Sequence, residues 1–397
     1  MSIHDALADF AAGKFVIVTD DESRENEGDL IILAEKVTAE QTAFMVRHTT
    51  GILCVAIDKA TARRLELPMM YESNQDKRKT AFTVSVDAVD GLTTGVSAGE
   101  RTTTVHALAS AKARAKDFVR PGHIFPLVAH EEGLASRGGH TEAGLALAQL
   151  VGGSPAALLS EIVNDDGSMS RGEALAKFAS DHQIKTITIE ELTQYWRENF
   201  QPTKQEVDLN WSAVQLPEGA WQLATFPALK ARDHVIARFG GGTVQPMIRV
   251  HSECFTGDVL GSLRCDCGDQ LALSKKLIAE HGFGYIIYVR DHEGRGVGLA
   301  EKLKAYQLQD QGLDTVEANV KLGHPIDARE WSDVIEILHS LDVQDFTLLT
   351  NNPEKVAVLA AAGFSVTQKN LAADIHQFNQ RYIETKRTKL GHERENA

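Results

Sequence analysis

The chain has 397 residues, 43% of them hydrophobic and 24% charged, with a formal net charge of −14. That length exceeds what one hydrophobic core usually supports, so two domains of about 200 residues each are expected. The acidic balance argues against nucleic acid as a partner, and no apolar run approaches the roughly 20 residues that span a bilayer.

The opening MSIHDALADFAAGKF has no basic stretch ahead of an apolar run, so no signal peptide is expected. FVIVTD (15–20) and LIILA (30–34) read as strands, and Thr38 with Gln41 forms a capping box before a helix. GILCVAI (51–57) and FTVSVDA (82–88) are further strands, with Cys54 a core thiol. PGHIFPL (121–127) carries His123 in a turn, and the helix after RGGHT (137–141) both opens and ends on glycines. Ser170 with Glu173, and Thr188 with Glu191, cap two more helices. The polar stretch QPTKQEVD (201–208) marks the domain boundary, giving domains 1–202 and 203–397.

In the second half MIRV leads into a cysteine-rich segment. LALSKKLIAEHG (271–282) is an amphipathic helix, YIIYVR (285–290) and FTLLT (346–350) are strands, and Pro353 opens a helix stopped by Gly363. The run ETKRTK (384–389) reads as a solvated helix face, and the polar C-terminal tail as frayed. His106, His130, His281 and His392 have no partner pattern. The fold class is mixed α/β, with a mixed sheet flanked by helices in each domain. Strand order is not readable.

Three islands in the first half carry chemistry. SRENEGD (23–29) places Arg24, Glu25, Glu27 and Asp29 directly after a strand, and His123 and SRGGHTEAG (136–144) follow. A glycine-rich turn opening a helix offers backbone N–H groups to an anion, so Arg137, Gly138, Gly139, His140 and Thr141 suit a phosphate. A carboxylate and a histidine among oxygen donors suit Mg²⁺ or Mn²⁺. SEIVNDDG (160–167) adds Glu161. With LPMM (67–70), TAFTVSVDA (80–88) and TTGVSAGERTTT (93–104), these islands resemble 3,4-dihydroxy-2-butanone 4-phosphate synthase over nearly the first 200 residues. The resemblance implies conversion of D-ribulose 5-phosphate to L-3,4-dihydroxy-2-butanone 4-phosphate and formate. It implies that Glu25 and His140 hold the ion, and that Arg24, Glu25, Asp29, Arg137–Thr141 and Glu161 contact the substrate. His123 and Glu161 transfer protons. Glu100 stands where an aspartate is expected, and NQDKRK (74–79) departs from the family's loop.

In the second half Cys254, Cys265 and Cys267 have C-x10-C-x-C spacing. Three thiolates can hold zinc with a fourth position left for a water that ionises near neutral pH and attacks an electrophilic carbon. The other reading is a closed structural knuckle with His251 as fourth ligand. HEGRGVGL (292–299), DTVEAN (314–319), HPIDARE (324–330) and TNNPEK (350–355) add polar groups at element ends. Together with RVHSECFTGDVLGSLRCDCG, they resemble GTP cyclohydrolase II from about residue 247 to residue 355. The resemblance implies hydrolysis of GTP to 2,5-diamino-6-(ribosylamino)pyrimidinone 5′-phosphate, formate and pyrophosphate, with zinc on the three cysteines and Mg²⁺ on the phosphates. It implies GTP contacts from Arg249, Val250, His251, Ser252, Glu253, Gln270, Glu293, Gly294, Arg295, Thr315, Thr350 and Lys355. Asp327 is then the proton acceptor, Tyr306 supports ring opening, and Arg329 is a nucleophile on phosphorus. On its chemistry alone Arg329 reads instead as a phosphate clamp.

Three segments depart from that family: EWSDVIEIL (330–338), QKNL (368–371) and LPEGAWQLATF (216–226). An N-terminal catalyst with a zinc-binding regulatory or nucleotide-sensing second half is therefore the alternative to two working enzymes. Two first steps of riboflavin synthesis in one cytoplasmic homodimer is the reading expected from both resemblances.

Overall fold

The computed structural model describes residues 3–21, 24–71, 74–200, 209–228, 232–371, 375–389 and 391. The boundary stretch 201–208, Ser23, His392 and the rest of the tail lie outside the described residues. The chain divides into two compact units, Met1–Lys204 and Gln205–Ala397.

The first unit is built on seven strands: β1 (Val16–Thr19), β2 (Gly28–Leu33), β3 (Cys54–Ile57), β4 (Val86–Ala88), β5 (Phe118–Val128), β6 (Ala156–Glu161) and β7 (Lys185–Thr188). Their order is β4-β5-β3-β6-β2-β1-β7, mostly antiparallel, with β3–β5 and β1–β7 parallel. Every residue of β2 and β3 is buried, as in strands covered on both faces. Ile31, Leu33, Cys54 and Ala56 face a core shared with the helices Ile3–Ala11 and His140–Leu150. The second of these lies close on the sheet because it carries Gly144, where a Cβ would stand 3.3 Å from the Ala157 Cβ. That contact fixes the helix's first residue, His140, above the ends of β2 and β6.

Three local expectations are corrected here. His123 lies inside the long strand β5 rather than in a turn, because Gly122 lets the chain run against the Val86 backbone, 2.0 Å from where a Cβ would be. Ser170 caps no helix. Its N–H donates to Ile162 O and pins it to the sheet, so the helix begins at Gly172 with Arg171 at its cap. FTVSVDA is a strand only over Val86–Ala88, with isolated bridges at Phe82 and Thr83. The capping boxes at Thr38 and Thr188 are present as expected.

The second unit also has seven strands: β8 (Ser212–Leu216), β9 (Gly219–Phe226), β10 (His234–Gly240), β11 (Met247–Ser252), β12 (Phe283–Val289), β13 (Asp345–Leu349) and β14 (Ser365–Lys369). The order β14-β13-β11-β12-β10-β9-β8 is parallel through its first four strands and antiparallel beyond. In parallel sheets the crevice outside the carboxyl ends of the strands is where ligands bind. Here β11 runs out into Cys254, β12 into the Arg290–Arg295 turn and β13 into Thr350–Lys355, so three adjacent strand ends converge. The divergent EWSDVIEIL becomes the helix Ser332–Ser340, which buries Val334, Ile337 and Leu338 in the core. The divergent LPEGAWQLATF is the β8–β9 hairpin, anchored by the buried Trp221. No helix of the described residues is long and apolar enough to cross a membrane.

Candidate active sites

In the first unit, β2 and β6 pair Asp29 directly opposite Glu161. Asp20, Glu25 and His140 present ligand atoms within 4.8 Å of one another. The His140 Nδ1 stands 3.8 Å from Glu25 Oε2 and 3.6 Å from Asp29 Oδ1, while its buried Nε2 and Asp29 Oδ1 have no hydrogen-bond partner. Burial holds the His140 imidazole below its ordinary range, and burial together with Glu161, Glu25, Glu27 and Asp20 pushes the Asp29 carboxyl well up. Orphaned buried donors and acceptors among four carboxylates fit a small divalent cation.

Around this cluster, Arg24 donates to Asp20 Oδ2 at 2.8 Å and Glu25 Oε2 at 2.9 Å. Arg137 donates to the buried Glu142 and, at 3.4 Å, to Thr80 Oγ1. A Cβ at Gly139 would sit 2.4 Å from the Arg137 Nη1 and 2.7 Å from Glu142 Oε2, so a side chain there would have to displace the Arg137–Glu142 pair. Gly138 and the buried Thr141 flank it. Glu161 accepts from Thr50 Oγ1 at 3.0 Å.

His123 is not part of that cluster. It lies on β5, separated from β6 by β3, which places the strands roughly 10 Å apart. Its Nδ1 donates to Asp87 Oδ2 at 2.7 Å, and its backbone N–H donates to Asp87 Oδ1 at 2.9 Å. That pairing leaves Nε2 as the proton-accepting nitrogen.

In the second unit the sulfurs of Cys254, Cys265 and Cys267 lie within 4.8 Å of one another, with Cys254 and Cys265 at 3.6 Å. Hydrogen bonds from Cys265 and Cys267, aided by Lys302, push the Cys254 thiol far down, and the bond to Cys254 raises Cys265 to about 11. One thiolate shared among three sulfurs is poised for a soft metal. Gly257 makes the room: a Cβ there would be 3.0 Å from the Cys265 sulfur and 3.1 Å from that of Cys254. His251 points elsewhere. Its Nε2 lies 3.0 Å from Asp258 Oδ1, and Asp258 also accepts from Tyr288 and the Cys254 backbone. A knuckle closed by His251 therefore has no support in the geometry.

A cleft opens beside the sulfurs. Arg249 is buried in its wall, donating to Leu349 O at 2.9 Å and to Gln270 Oε1 at 2.6 Å, and burial lowers its guanidinium to about 10. Lys355 is also buried, with only Val250 O at 2.8 Å as acceptor; burial, then Arg249, Arg329 and Lys386, hold its ammonium well below the usual range. Ser252 Oγ meets His292 Nδ1 at 3.2 Å and the Arg329 Nη1 at 3.3 Å. Arg329 forks onto Asp327, with Nε 2.8 Å from Oδ1, while Arg295 lies 3.6 Å from Asp327 Oδ2. Glu253, Gly294, Thr315 and Thr350 line the same cleft, and Tyr306 Oη lies 3.2 Å from Thr256 Oγ1. Val250, Glu293 and Asp327 are not among the residues that line the cleft. The Glu293 carboxylate is committed to Phe255 N at 2.6 Å and to Lys302 at 2.6 Å.

The comparisons with known proteins agree with both halves. The family model of 3,4-dihydroxy-2-butanone 4-phosphate synthase matches residues 4–195, and that of GTP cyclohydrolase II matches residues 210–370. The riboflavin biosynthesis protein RibBA of Nocardia farcinica is 46% identical over 99% of this chain and 95% of its own. The chain belongs to the bifunctional riboflavin biosynthesis family. A probable bifunctional riboflavin biosynthesis protein of Oryza sativa subsp. japonica is 49% identical over 98% of this chain and 73% of its own. Among solved structures, RibBX, a two-domain synthase from A. baumannii, is 30% identical over 94% of this chain with a TM-score of 0.49. A 3,4-dihydroxy-2-butanone 4-phosphate synthase in complex with two magnesium ions is 43% identical over 50% of this chain and 97% of its own, again with a TM-score of 0.49.

The protein is thus a bifunctional enzyme, a lyase in its synthase half and a hydrolase in its cyclohydrolase half, and a purely regulatory second half is not favoured. Several site residues escape a sequence reading. Asp20 and Asp87 sit in strand-like runs and reveal their roles only through partners 5 and 36 residues away. In the cyclohydrolase half, Lys386 donates to Asp266 Oδ1 at 2.6 Å and lines the cleft with Tyr382. The helix Gln380–Lys389 is therefore not a solvated face throughout; its Lys386 is only 12% exposed.

Proposed function

We propose that the synthase half works at the Glu25–His140 cluster on D-ribulose 5-phosphate and the cyclohydrolase half at the three-cysteine cluster on GTP. The convergence of three parallel strand ends on a cleft with buried Arg249 and Lys355 beside three thiols carries the second reading. Buried cations whose shortest hydrogen bonds, among the described residues, go to carbonyl and amide oxygens suit a polyanion, whose phosphates relieve their desolvation.

In the synthase half, Asp20, Glu25 and His140 hold Mg²⁺ or Mn²⁺, which stabilises enediolate charge when bound. Arg137 and the Gly138–Gly139 turn bind the phosphate, and Arg24 and Asp29 orient the sugar. His123, oriented by Asp87, takes a proton beside the carbonyl, and Glu161 serves the opposite end of the substrate. In the cyclohydrolase half, Cys254, Cys265 and Cys267 hold zinc, which supplies Lewis acidity next to the imidazole ring when bound. Arg249, Arg295, Arg329 and Lys355 bind the triphosphate with Mg²⁺ accompanying it, Gln270 and Glu253 orient the nucleotide, and Asp327 accepts a proton. The Arg329 fork onto Asp327 supports the clamp reading over a nucleophilic one, because a guanidinium presents donors only and offers no lone pair. Tyr306 closes the ring-opening side. A homodimer in the cytoplasm is proposed on the family resemblance, and the four unpaired cysteines suit a reducing compartment.

Zinc-replete protein incubated with GTP and Mg²⁺ tests the second site. Formate and pyrophosphate released together, and lost in Cys265→Ser, are expected. A folded, zinc-loaded protein that binds GTP without releasing formate would make the second half a sensor.

A further inference from the structure

Lys302 has no part in either chemistry as assigned above, yet its ammonium donates directly to one of the three sulfurs. It projects from the first turn of the helix Leu299–Asp310, and its side chain is 12% exposed. The Nζ lies 3.1 Å from the Cys254 sulfur and 2.6 Å from Glu293 Oε1. Glu293 is itself fixed, accepting from Phe255 N at 2.6 Å and Gly294 N at 3.0 Å. Its neighbour Gly294 has φ +61°, and a Cβ there would lie 3.1 Å from the Lys302 Cβ, so that turn is shaped around the lysine stem. The fixed Glu293 carboxylate and the Gly294 turn beside it together aim one ammonium at one sulfur.

We propose that Lys302 is a positioning residue of the three-cysteine centre, donating an N–H···S bond that draws charge off the Cys254 thiolate. The proposal rests on zinc occupying that centre. A divalent ion with three thiolates carries a net charge of −1, and burying it alone is costly. A fixed ammonium 3.1 Å away offsets that charge. A thiolate that accepts such a bond would give less density to a bound zinc ion and so leave it a stronger Lewis acid; groups behind metal ligands commonly change activity or affinity 10- to 100-fold. The competing role is a phosphate contact, since Lys302 also borders the cleft. The two roles separate kinetically: a phosphate contact governs the KM for GTP, a charge on sulfur governs kcat.

Cobalt-substituted full-length protein decides between them. Wild-type protein is expected to take one Co²⁺ in its second half with a thiolate-to-cobalt charge-transfer band that Cys265→Ser weakens. Lys302→Met is expected to shift that band to lower energy, because an unbonded thiolate gives up charge more easily. Its kcat for formate release falls about 10- to 100-fold with little change in KM. Lys302→Arg, which keeps the donor, is expected to return the band toward its wild-type position. An unmoved band in Lys302→Met, or a loss confined to KM, overturns the proposal. If the methionine variant fails to hold the ion, the arginine variant decides: a wild-type band with turnover lost overturns the proposal, and band and turnover recovered together support it. Wild-type protein that takes no cobalt on its cysteines overturns the zinc reading itself, and this proposal with it.

Discussion

The Arg78 guanidinium lies 3.4 Å from Glu25 Oε1, and the same carboxylate takes Arg24 at 2.9 Å on its other oxygen. Both oxygens of the proposed metal ligand are therefore covered by arginines. Arg78 belongs to the loop that departs from the family pattern, and it also donates to Arg24 O. A divalent ion entering at Glu25 displaces at least one of these cations. The Arg78 side chain is 44% exposed, so its hold is weak, of order 1 kcal/mol or less. Arg78→Ala is expected to bind Mn²⁺ about two- to fivefold more tightly by titration calorimetry. Weaker binding would mean that Arg78 helps build the site.

Gly95 has φ +76°, and a Cβ there would lie 2.2 Å from Asp87 Oδ2 and 3.0 Å from His123 Nδ1. Gly95→Ala is thus expected to break the pair that orients His123. Formate release from ribulose 5-phosphate falls about 100-fold, as displacement of a reacting group by about an ångström would give. Melting temperature falls by the equivalent of about 1 kcal/mol or more. Unchanged activity would remove His123 from the mechanism.

Lys355 supplies the pH prediction. Burial, with Arg249 and Arg329 nearby, holds its ammonium well below the usual range, which disfavours the charged form in the empty cleft. A bound triphosphate favours the charged form, so its pKa rises on binding. GTP binding therefore takes up protons at any pH between the two values. Calorimetry in buffers of differing ionisation enthalpy, repeated across a pH series below the ordinary lysine range, detects this as a buffer-dependent heat. Lys355→Met abolishes it. Proton uptake that persists in that variant would assign it to another group.

What the sequence makes legible here is local. The Thr38 and Thr188 capping boxes need only four residues, and the cysteine cluster only fourteen. Ser170 looks the same as Thr188 and fails, because its N–H is held by Ile162 across the sheet. His123 follows a Pro-Gly pair that signals a turn, and only the Val86 backbone alongside Gly122 keeps the chain extended. Strand order depends on contacts between distant segments. So does the effect of the divergent EWSDVIEIL: its Trp331 carries the Arg329 guanidinium at 5.1 Å and the Lys355 ammonium at 5.3 Å, a support for both cations. The divergent segment thus places an aromatic ring beside two of the cleft's cations.

Two independent chemistries on one chain, each at its own residues, predict separable losses of activity. The decisive experiment measures formate from ribulose 5-phosphate and from GTP in the same preparations of wild-type, Glu25→Gln and Cys265→Ser protein. Wild-type protein is expected to release formate from both substrates, Glu25→Gln only from GTP, and Cys265→Ser only from ribulose 5-phosphate. GTP-dependent formate that survives in Cys265→Ser, or one substitution that silences both substrates in a folded chain, would contradict it.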